Sequence, residues 1–342
     1  MNADVCYLNR EALFCAETED YRVPAEPEAG EEVILRFRTA RGNVDQVLYR
    51  ECGRDDSTEM RKKSSDLLFD YYECRITAGT EQVRYYFELI KGGGHCFYNR
   101  LGVQDDAQAC FAFCITPGFH TPEWAKGAVM YQIYVDRFCN GDPSNDVETG
   151  EYIYIGAPVH GVKKWEKPLE TMDVGYFYGG DLKGVWQKLD YLQRLGVEVI
   201  YFNPIFVSPS NHKYDCQDYE HIDPHYGVIV KDGGQVLDTA DGLPDGGGEA
   251  LRAENRRAAK YIARVTEKEN LEASDAFFAR FMEEVHKRGM KVILDGVFNH
   301  CGSFNKWLDR EGIYEGAKGY EPGAYVSADS PYHTFFHFAK EG

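Results

Sequence analysis

Four side chains with oxygen ligands lie within residues 137–146, and their type and spacing suit cation binding. They are Asn140, Asp142, Asn145 and Asp146. Asp181, in a later Gly-Gly-Asp turn, could complete a cage. Carboxylate and amide oxygens in this number favour a hard cation, calcium first. The same residue types also fill ordinary polar turns, so both interpretations stay open at this stage.

Residues 211–227 form a second chemical cluster, in which tyrosines, histidines and aspartates alternate. It contains His212, Tyr214 and Asp215. Aromatic rings pack on apolar sugar faces and carboxylates accept bonds from hydroxyl groups, so the segment is suited to lining a sugar site. The alternative is a polar loop that satisfies its own backbone.

Residues 292–300 form the third cluster, an apolar run that ends in Asp295 and is followed by Asn299 and His300. Such a run predicts a strand buried on both faces. Parallel α/β folds place their ligand chemistry at the carboxyl ends of strands. The alternative is a buried strand with one satisfied aspartate and a core histidine. No Ser-His-Asp, Cys-His or phosphate-binding motif competes.

The elements that position these clusters follow a β-α-β-α-β order typical of a parallel sheet. Strands are predicted at 128–135 and 197–206, and the run at 292–300 supplies the third. A helix is predicted over 181–196, and a second from near Ser274 to Gly289. The first helix has an apolar face made of Leu182, Val185, Leu189, Leu192 and Leu195.

Residues 1–118 carry a different pattern, which predicts an all-β sandwich. Short alternating runs stand at 32–39, 45–50, 66–77, 83–90 and 110–116. Residues 119–342 then form the α/β domain. It contains an irregular insertion at about 227–271, with a glycine run at 246–248 and a basic stretch at 252–260 that could be helical. This insertion is either a lid or, as we favour, a surface excursion.

Composition excludes several classes of partner. The net charge of −18 argues against nucleic acid and anionic membranes, which require clusters of Lys and Arg. No stretch approaches the roughly 20 apolar residues of a membrane span. The acidic amino terminus does not have the pattern of a signal peptide. The ten scattered cysteines are therefore expected to be free thiols in a cytoplasmic protein.

Together the motifs resemble the α-amylase family of glycoside hydrolases, in particular its neopullulanase, cyclomaltodextrinase and maltogenic amylase group. The resemblance rests on residues 129–138, 178–184, 212–215 and 295–300. Gly296 departs from the alanine that is usual in the last motif. The resemblance implies the N-terminal part of a (β/α)8 TIM barrel with three visible strands, preceded by a starch-binding-like sandwich. Residues after 302 look like the start of the family's lid region.

The resemblance also implies roles for individual residues. Tyr214 would stack on the glucose ring at the cleaved bond, and His300 would bind its primary hydroxyl group. His212 and Asp215 would shape the same subsite, while Asp295 and Asn299 would support it. Calcium would be held by the loop residues, which are Asn140, Asp142, Asn145, Asp146, Asp181 and the carbonyl group of Gly179.

The implied reaction is retaining hydrolysis of α-1,4-glucosidic bonds in maltodextrin, cyclodextrin or pullulan. No catalytic carboxylate is assigned within the chain, because the family's nucleophile and general acid are expected beyond Gly342. The chain alone is therefore expected to be inactive. The alternatives are a branching or transglycosylating relative, and a non-catalytic glucan-binding or scaffold protein. A homodimer through the N-terminal domain is a further expectation from the family.

Overall fold

The computed structural model describes residues 8–168, 172–238 and 247–339. The chain divides into two compact units, Met1–Lys126 and Gly127–Gly342. The first seven residues, on which the prediction of no signal peptide rests, the first glycine of the 246–248 run and the last three residues lie outside the described residues.

The first unit is made of antiparallel strands in two sheets. One sheet has the order β1-β2-β6-β5, and the other has the order β4-β3-β7-β8-β9 with β10 paired to β7. The strands are β1 Arg22–Val23, β2 Glu32–Ala40, β3 Gln46–Glu51, β4 Ser57–Glu59, β5 Arg61–Ser65, β6 Phe69–Thr77, β7 Val83–Lys91, β8 Gly94–Asn99, β9 Gly102–Gln104 and β10 Phe113–Ile115.

Alternation along the strands builds the core of this unit. Every second residue of β2 is buried, including Val33, Leu35 and Phe37. These side chains pack in one cluster with Tyr85 and Phe87 of β7. Since side chains alternate between the two faces of a strand, one face enters the core and the other meets water. The all-β prediction for this region is confirmed.

The second unit contains a parallel sheet with the order β11-β16-β19. Its strands are β11 Met130–Ile133, β12 Ile153–Tyr154, β13 Ala157–Pro158, β14 His160–Gly161, β15 Tyr176–Phe177, β16 Val199–Phe202, β17 Phe206–Val207, β18 Asp218–Ile222 and β19 Lys291–Leu294. Its helices are α1 Leu182–Gln187, α2 Leu189–Arg194, α3 Gly247–Asn255, α4 Ala259–Thr266 and α5 Lys268–Lys287. No helix in the described ranges is both long and apolar enough to cross a membrane.

The first predicted helix is two short helices that meet at Lys188. Asp181 caps the first by accepting a bond from the amide of Gly184. The predicted apolar face is buried except for Leu195, which is 53% exposed because it lies past the end of α2.

The described part of the insertion contains two helices, and the basic stretch at 252–260 is divided between them. Helices α3 and α4 lie within it, and α5 begins at Lys268 rather than near Ser274. Ala258, Tyr261 and Val265 are buried in a cluster with Tyr152, which lies between β11 and β12 in residues 134–152, the first loop. A surface excursion is therefore wrong for α4, on which Tyr261 and Val265 are buried. Its apolar face is short, and Tyr261 on it contacts rings from distant parts of the chain, among them Tyr152 and Phe304.

Strand β19 is not buried on both faces. Lys291 and Leu294 are exposed, Val292 and Ile293 are half-buried, and Phe298 beyond the strand is 96% exposed. Within the described sheet β19 pairs only with β16, so its other edge is open. The central strand β16 is the buried one.

Candidate functional site

Asp295 directly follows β19, and it contacts Tyr214 in the loop between β17 and β18. The hydroxyl groups of Tyr214 and Tyr201 donate to its Oδ2 at 3.1 and 3.0 Å. The amide of Val297 donates to Oδ1 at 3.2 Å. Burial and the bond to Asp295 raise the pKa of Tyr214 to about 12. Three neutral donors thus hold Asp295 in place, which suits a supporting carboxylate.

His300 lies against the main chain of Tyr214. Its Nε2 is 3.0 Å from the carbonyl oxygen of Tyr214, and its Nδ1 is 3.2 Å from the side-chain nitrogen of Asn299. The hydroxyl group of Tyr219 donates to the carbonyl oxygen of His300 at 2.6 Å. With Nε2–H donating and Nδ1 accepting, both contacts are satisfied by one neutral tautomer. The imidazole and the amide remain exposed to solvent.

His212 and Asp215 complete this cluster. The amide of Tyr214 donates to Nδ1 of His212 at 3.0 Å, and burial lowers the pKa of His212. Asp215 accepts bonds from the hydroxyl groups of Ser208 and Ser210. The His212 and Tyr214 rings lie 6.0 Å apart. All six sequence-predicted sugar-site residues are therefore brought together at the carboxyl ends of β16 and β19.

A buried ion pair inside the predicted sugar motif, residues 212–215, was missed by sequence reasoning. Lys213 adopts φ 62°, and its ammonium group lies 2.6 Å from Asp223 Oδ2 and 2.8 Å from the carbonyl oxygen of Ser208. The side chains of Lys213 and Asp223 are 1% and 0% exposed. The ammonium anchors the left-handed turn that separates His212 from Tyr214. A lysine within a motif facing water gave no signal of burial.

This ion pair continues into a chain of buried charges. Asp223 Oδ1 is 2.9 Å from Nδ1 of His225, whose Nε2 is 2.8 Å from Glu151. Glu151 in turn accepts a bond of 2.8 Å from Arg264 of α4. Burial lowers the pKa of His225, but the two carboxylates outweigh burial and raise it above its ordinary value. The chain links the sugar motif to the first loop and the insertion.

The predicted cation loop contains two buried amide oxygens without partners. Nδ2 of Asn140 donates to Asp146 Oδ1 at 2.7 Å, and Nδ2 of Asn145 donates to the carbonyl oxygen of Gly227 at 3.0 Å. The Oδ1 atoms of Asn140 and Asn145 accept no hydrogen bond. Burial is the main cause that raises the pKa of Asp146 to about 6. Buried polar oxygens normally find a partner.

Two further residues of this set are engaged by the protein itself. Asp181 accepts bonds from the amides of Gly141, Asp142 and Gly184. The hydroxyl group of Ser144 and, at 2.9 Å, the ammonium group of Lys183 donate to Asp142 and lower its pKa. Within the described ranges, no three or more His, Cys, Asp or Glu side chains converge in a metal-binding arrangement. A cation here would depend on amide and carbonyl oxygens.

The backbone of Gly179 lies directly against the side chains of Asn140 and Asp146. Its φ is 77°, and a Cβ atom there would lie 2.4 Å from Asp146 Oδ1 and 2.5 Å from Nδ2 of Asn140. Asn140 and Asp146 line a cleft of about 480 Å³. A close backbone approach, two orphan amide oxygens and one carboxylate form a donor set that fits a hard, oxygen-seeking cation.

Comparison with known proteins identifies the chain. The family model described as "Alpha amylase, catalytic domain" matches residues 132–237 and 273–341, and that described as "Alpha amylase, N-terminal ig-like domain" matches residues 9–116. The chain belongs to the α-amylase family of glycoside hydrolases. The predicted fold class and family are confirmed: an all-β domain precedes part of an α-amylase catalytic domain. The catalytic-domain model leaves residues 238–272 unmatched.

Similar α-amylase family members carry the names expected from the motifs. Neopullulanase 2 of Thermoactinomyces vulgaris is 34% identical over 85% of this chain and 42% of its own length. A cyclomaltodextrinase of Geobacillus thermopakistaniensis is 30% identical over 86% of this chain and 42% of its own length. The chain thus spans less than half of these curated relatives. The solved structure of the type III pullulan hydrolase from Thermococcus kodakarensis matches this chain with a TM-score of 0.47 and 26% sequence identity. The match covers 96% of this chain and 46% of the hydrolase chain.

Proposed function

We propose that residues 1–342 supply part of the substrate site of an enzyme that hydrolyses α-1,4-glucosidic bonds in starch-derived glucans. The observation that carries the proposal is the cluster at Asp295, where Tyr214 bonds the carboxylate and His300 contacts the main chain of Tyr214. An aromatic ring beside exposed imidazole and amide groups is suited to a sugar ring and its hydroxyl groups. The names of the relatives point to the same substrate class.

In this proposal Tyr214 stacks on the sugar, His300 and His212 bind its hydroxyl groups, and Asp215 fixes the loop. Asp295 acts as a scaffold because neutral donors bind both of its oxygens. Retaining hydrolysis requires two carboxyl groups about 5–5.5 Å apart. We expect the rest of the full-length enzyme to supply both, so residues 1–342 alone do not release sugar.

We also propose a structural calcium ion in the first loop. The amide oxygens of Asn140 and Asn145, the carboxylate of Asp146 and the carbonyl oxygen of Gly179 would hold it. Asp181 and Asp142 keep the loop closed through their bonds to main-chain amides and to Lys183. A bound calcium ion would supply charge that ties loop segments together, without taking part in bond cleavage.

Saturation-transfer NMR with maltohexaose tests the sugar site in residues 1–342. Tyr214→Ala should reduce the transfer signal, because it removes the stacking ring. Tyr191→Ala is the matched control, since Tyr191 is 48% exposed on α2, and it should leave the signal unchanged. Equal signals in all three proteins would contradict the site. Release of reducing sugar from maltodextrin or cyclodextrin by residues 1–342 would contradict the predicted inactivity.

A further inference from the structure

Arg264 on α4 uses all of its hydrogen-bonding capacity inside the protein. The side chain is 1% exposed. Its five N–H groups donate twice to Asp232 and once each to Glu148, Glu151 and the carbonyl oxygen of Asp146, at 2.8–3.2 Å. A guanidinium group has five donors in a fixed fork, so this saturation fixes the position of every partner.

Three of these partners lie in residues 146–151, a segment that begins at the last predicted cation ligand of the first loop. Asp146 is itself a predicted ligand, and Arg264 holds its carbonyl oxygen while Asn140 holds its side chain. Glu148 and Glu151 follow within five residues. Asn140 thus holds Asp146 at its carboxylate, and Arg264 holds it at its main chain from the insertion.

The insertion also contacts residues 152 and 153, which follow this segment. Asn255 of α3 exchanges two hydrogen bonds with the main chain of Ile153, at 2.9 and 3.0 Å. The ring of Tyr261 lies 3.9 Å from that of Tyr152. These contacts come from residues 238–272, which the α-amylase catalytic-domain model does not match. The loop is therefore held by a part of this chain that the family model leaves unmatched.

We propose that Arg264 is a positioning residue that preorganises the first loop for its cation, so that the insertion sets calcium affinity. The inference rests on the calcium site proposed above. It differs from a purely structural role, in which Arg264 would stabilise the fold without changing the geometry of Asp146. Residues that orient metal ligands typically change metal affinity about 10–100-fold when replaced.

Isothermal titration of residues 1–342 with calcium chloride separates these roles. Arg264→Met should weaken calcium binding at least about tenfold at a temperature where its far-UV circular dichroism equals that of the parent. Arg264→Lys keeps the positive charge but not the forked arrangement of donors. Its calcium affinity should lie between those of the parent and of Arg264→Met. Arg257→Met is the matched control, because Arg257 is 73% exposed and, within the described ranges, forms its ion pair with Glu254. Its affinity should be unchanged.

Each other outcome overturns a defined part of the argument. Equal affinity in Arg264→Met and the parent would overturn the positioning role and leave the calcium site standing. No calcium binding by the parent would overturn both. An equal loss in Arg257→Met would reduce the effect to general charge and also overturn the role. If Arg264→Met does not fold, Asp232→Asn replaces it. Asp232 is 40% exposed and accepts hydrogen bonds from the guanidinium group of Arg264. Unchanged calcium affinity in Asp232→Asn would then refute the proposal.

Discussion

Replacing Lys213 by methionine should show how strongly the buried charges hold the sugar motif. Methionine keeps most of the volume beside the rings of Phe177 and Tyr226 but removes the ammonium group. Asp223 would then lose its partner at 2.6 Å. Its remaining bonds, to His225 and to the amide of Ser208, would still satisfy part of the carboxylate.

These remaining bonds set the expected magnitude. Breaking a fully buried ion pair by removing one partner costs about 3–5 kcal/mol. Because Asp223 keeps a histidine and an amide donor, we expect the lower end, about 3 kcal/mol. With a urea m-value of about 2 kcal/mol/M, the unfolding midpoint should fall by about 1.5 M.

Urea unfolding followed by tryptophan fluorescence measures this change. Three of the four tryptophans, Trp165, Trp186 and Trp307, belong to the second unit, so the signal reports mainly on it. Lys287→Met is the control, because its pair with Glu284 is exposed and worth less than about 1 kcal/mol. A double replacement, Lys213→Met with Asp223→Asn, should cost less than the sum of the single ones. A loss for Lys213→Met no larger than that of the control would refute the reasoning.

Two further predictions concern pH. The raised pKa of His225 means that its contribution to stability is complete below the unfolded value of about 6.5 and is lost as pH rises through the folded value. The free energy of unfolding should therefore fall as pH rises above about 6.5, and an unchanged slope in His225→Gln would contradict this. Calcium should raise the melting temperature at pH 7.5 and raise it less at pH 5, because Asp146, with a pKa of about 6, is then protonated. Equal melting temperatures in calcium and in chelator at pH 7.5 would remove the cation site.

The sequence was sufficient for features with a short period. Alternation in β2 and the Asp181 cap of α1 depend on neighbours within a few residues, and the structure has both. The motifs at 212–215 and 295–300 likewise indicated a common site, because parallel strands end at the same edge of a sheet. A helix was only one possibility for the basic stretch at 252–260, and the bounds of α3 and α4 and the start of α5 were not predicted, because apolar residues there contact distant partners and form no long periodic face.

What the sequence determined by itself was the family, the order of the elements and which residues come together around Asp295. Tertiary structure alone decided how those residues are held. Arg264 meets Glu151 from 113 residues away, and His225 meets it from 74 residues away. Lys213 stands between two site residues yet is buried, whereas Phe298 stands in an apolar run yet is exposed. Burial and charge pairing depend on which segments the fold brings together, and local spacing carries no record of that.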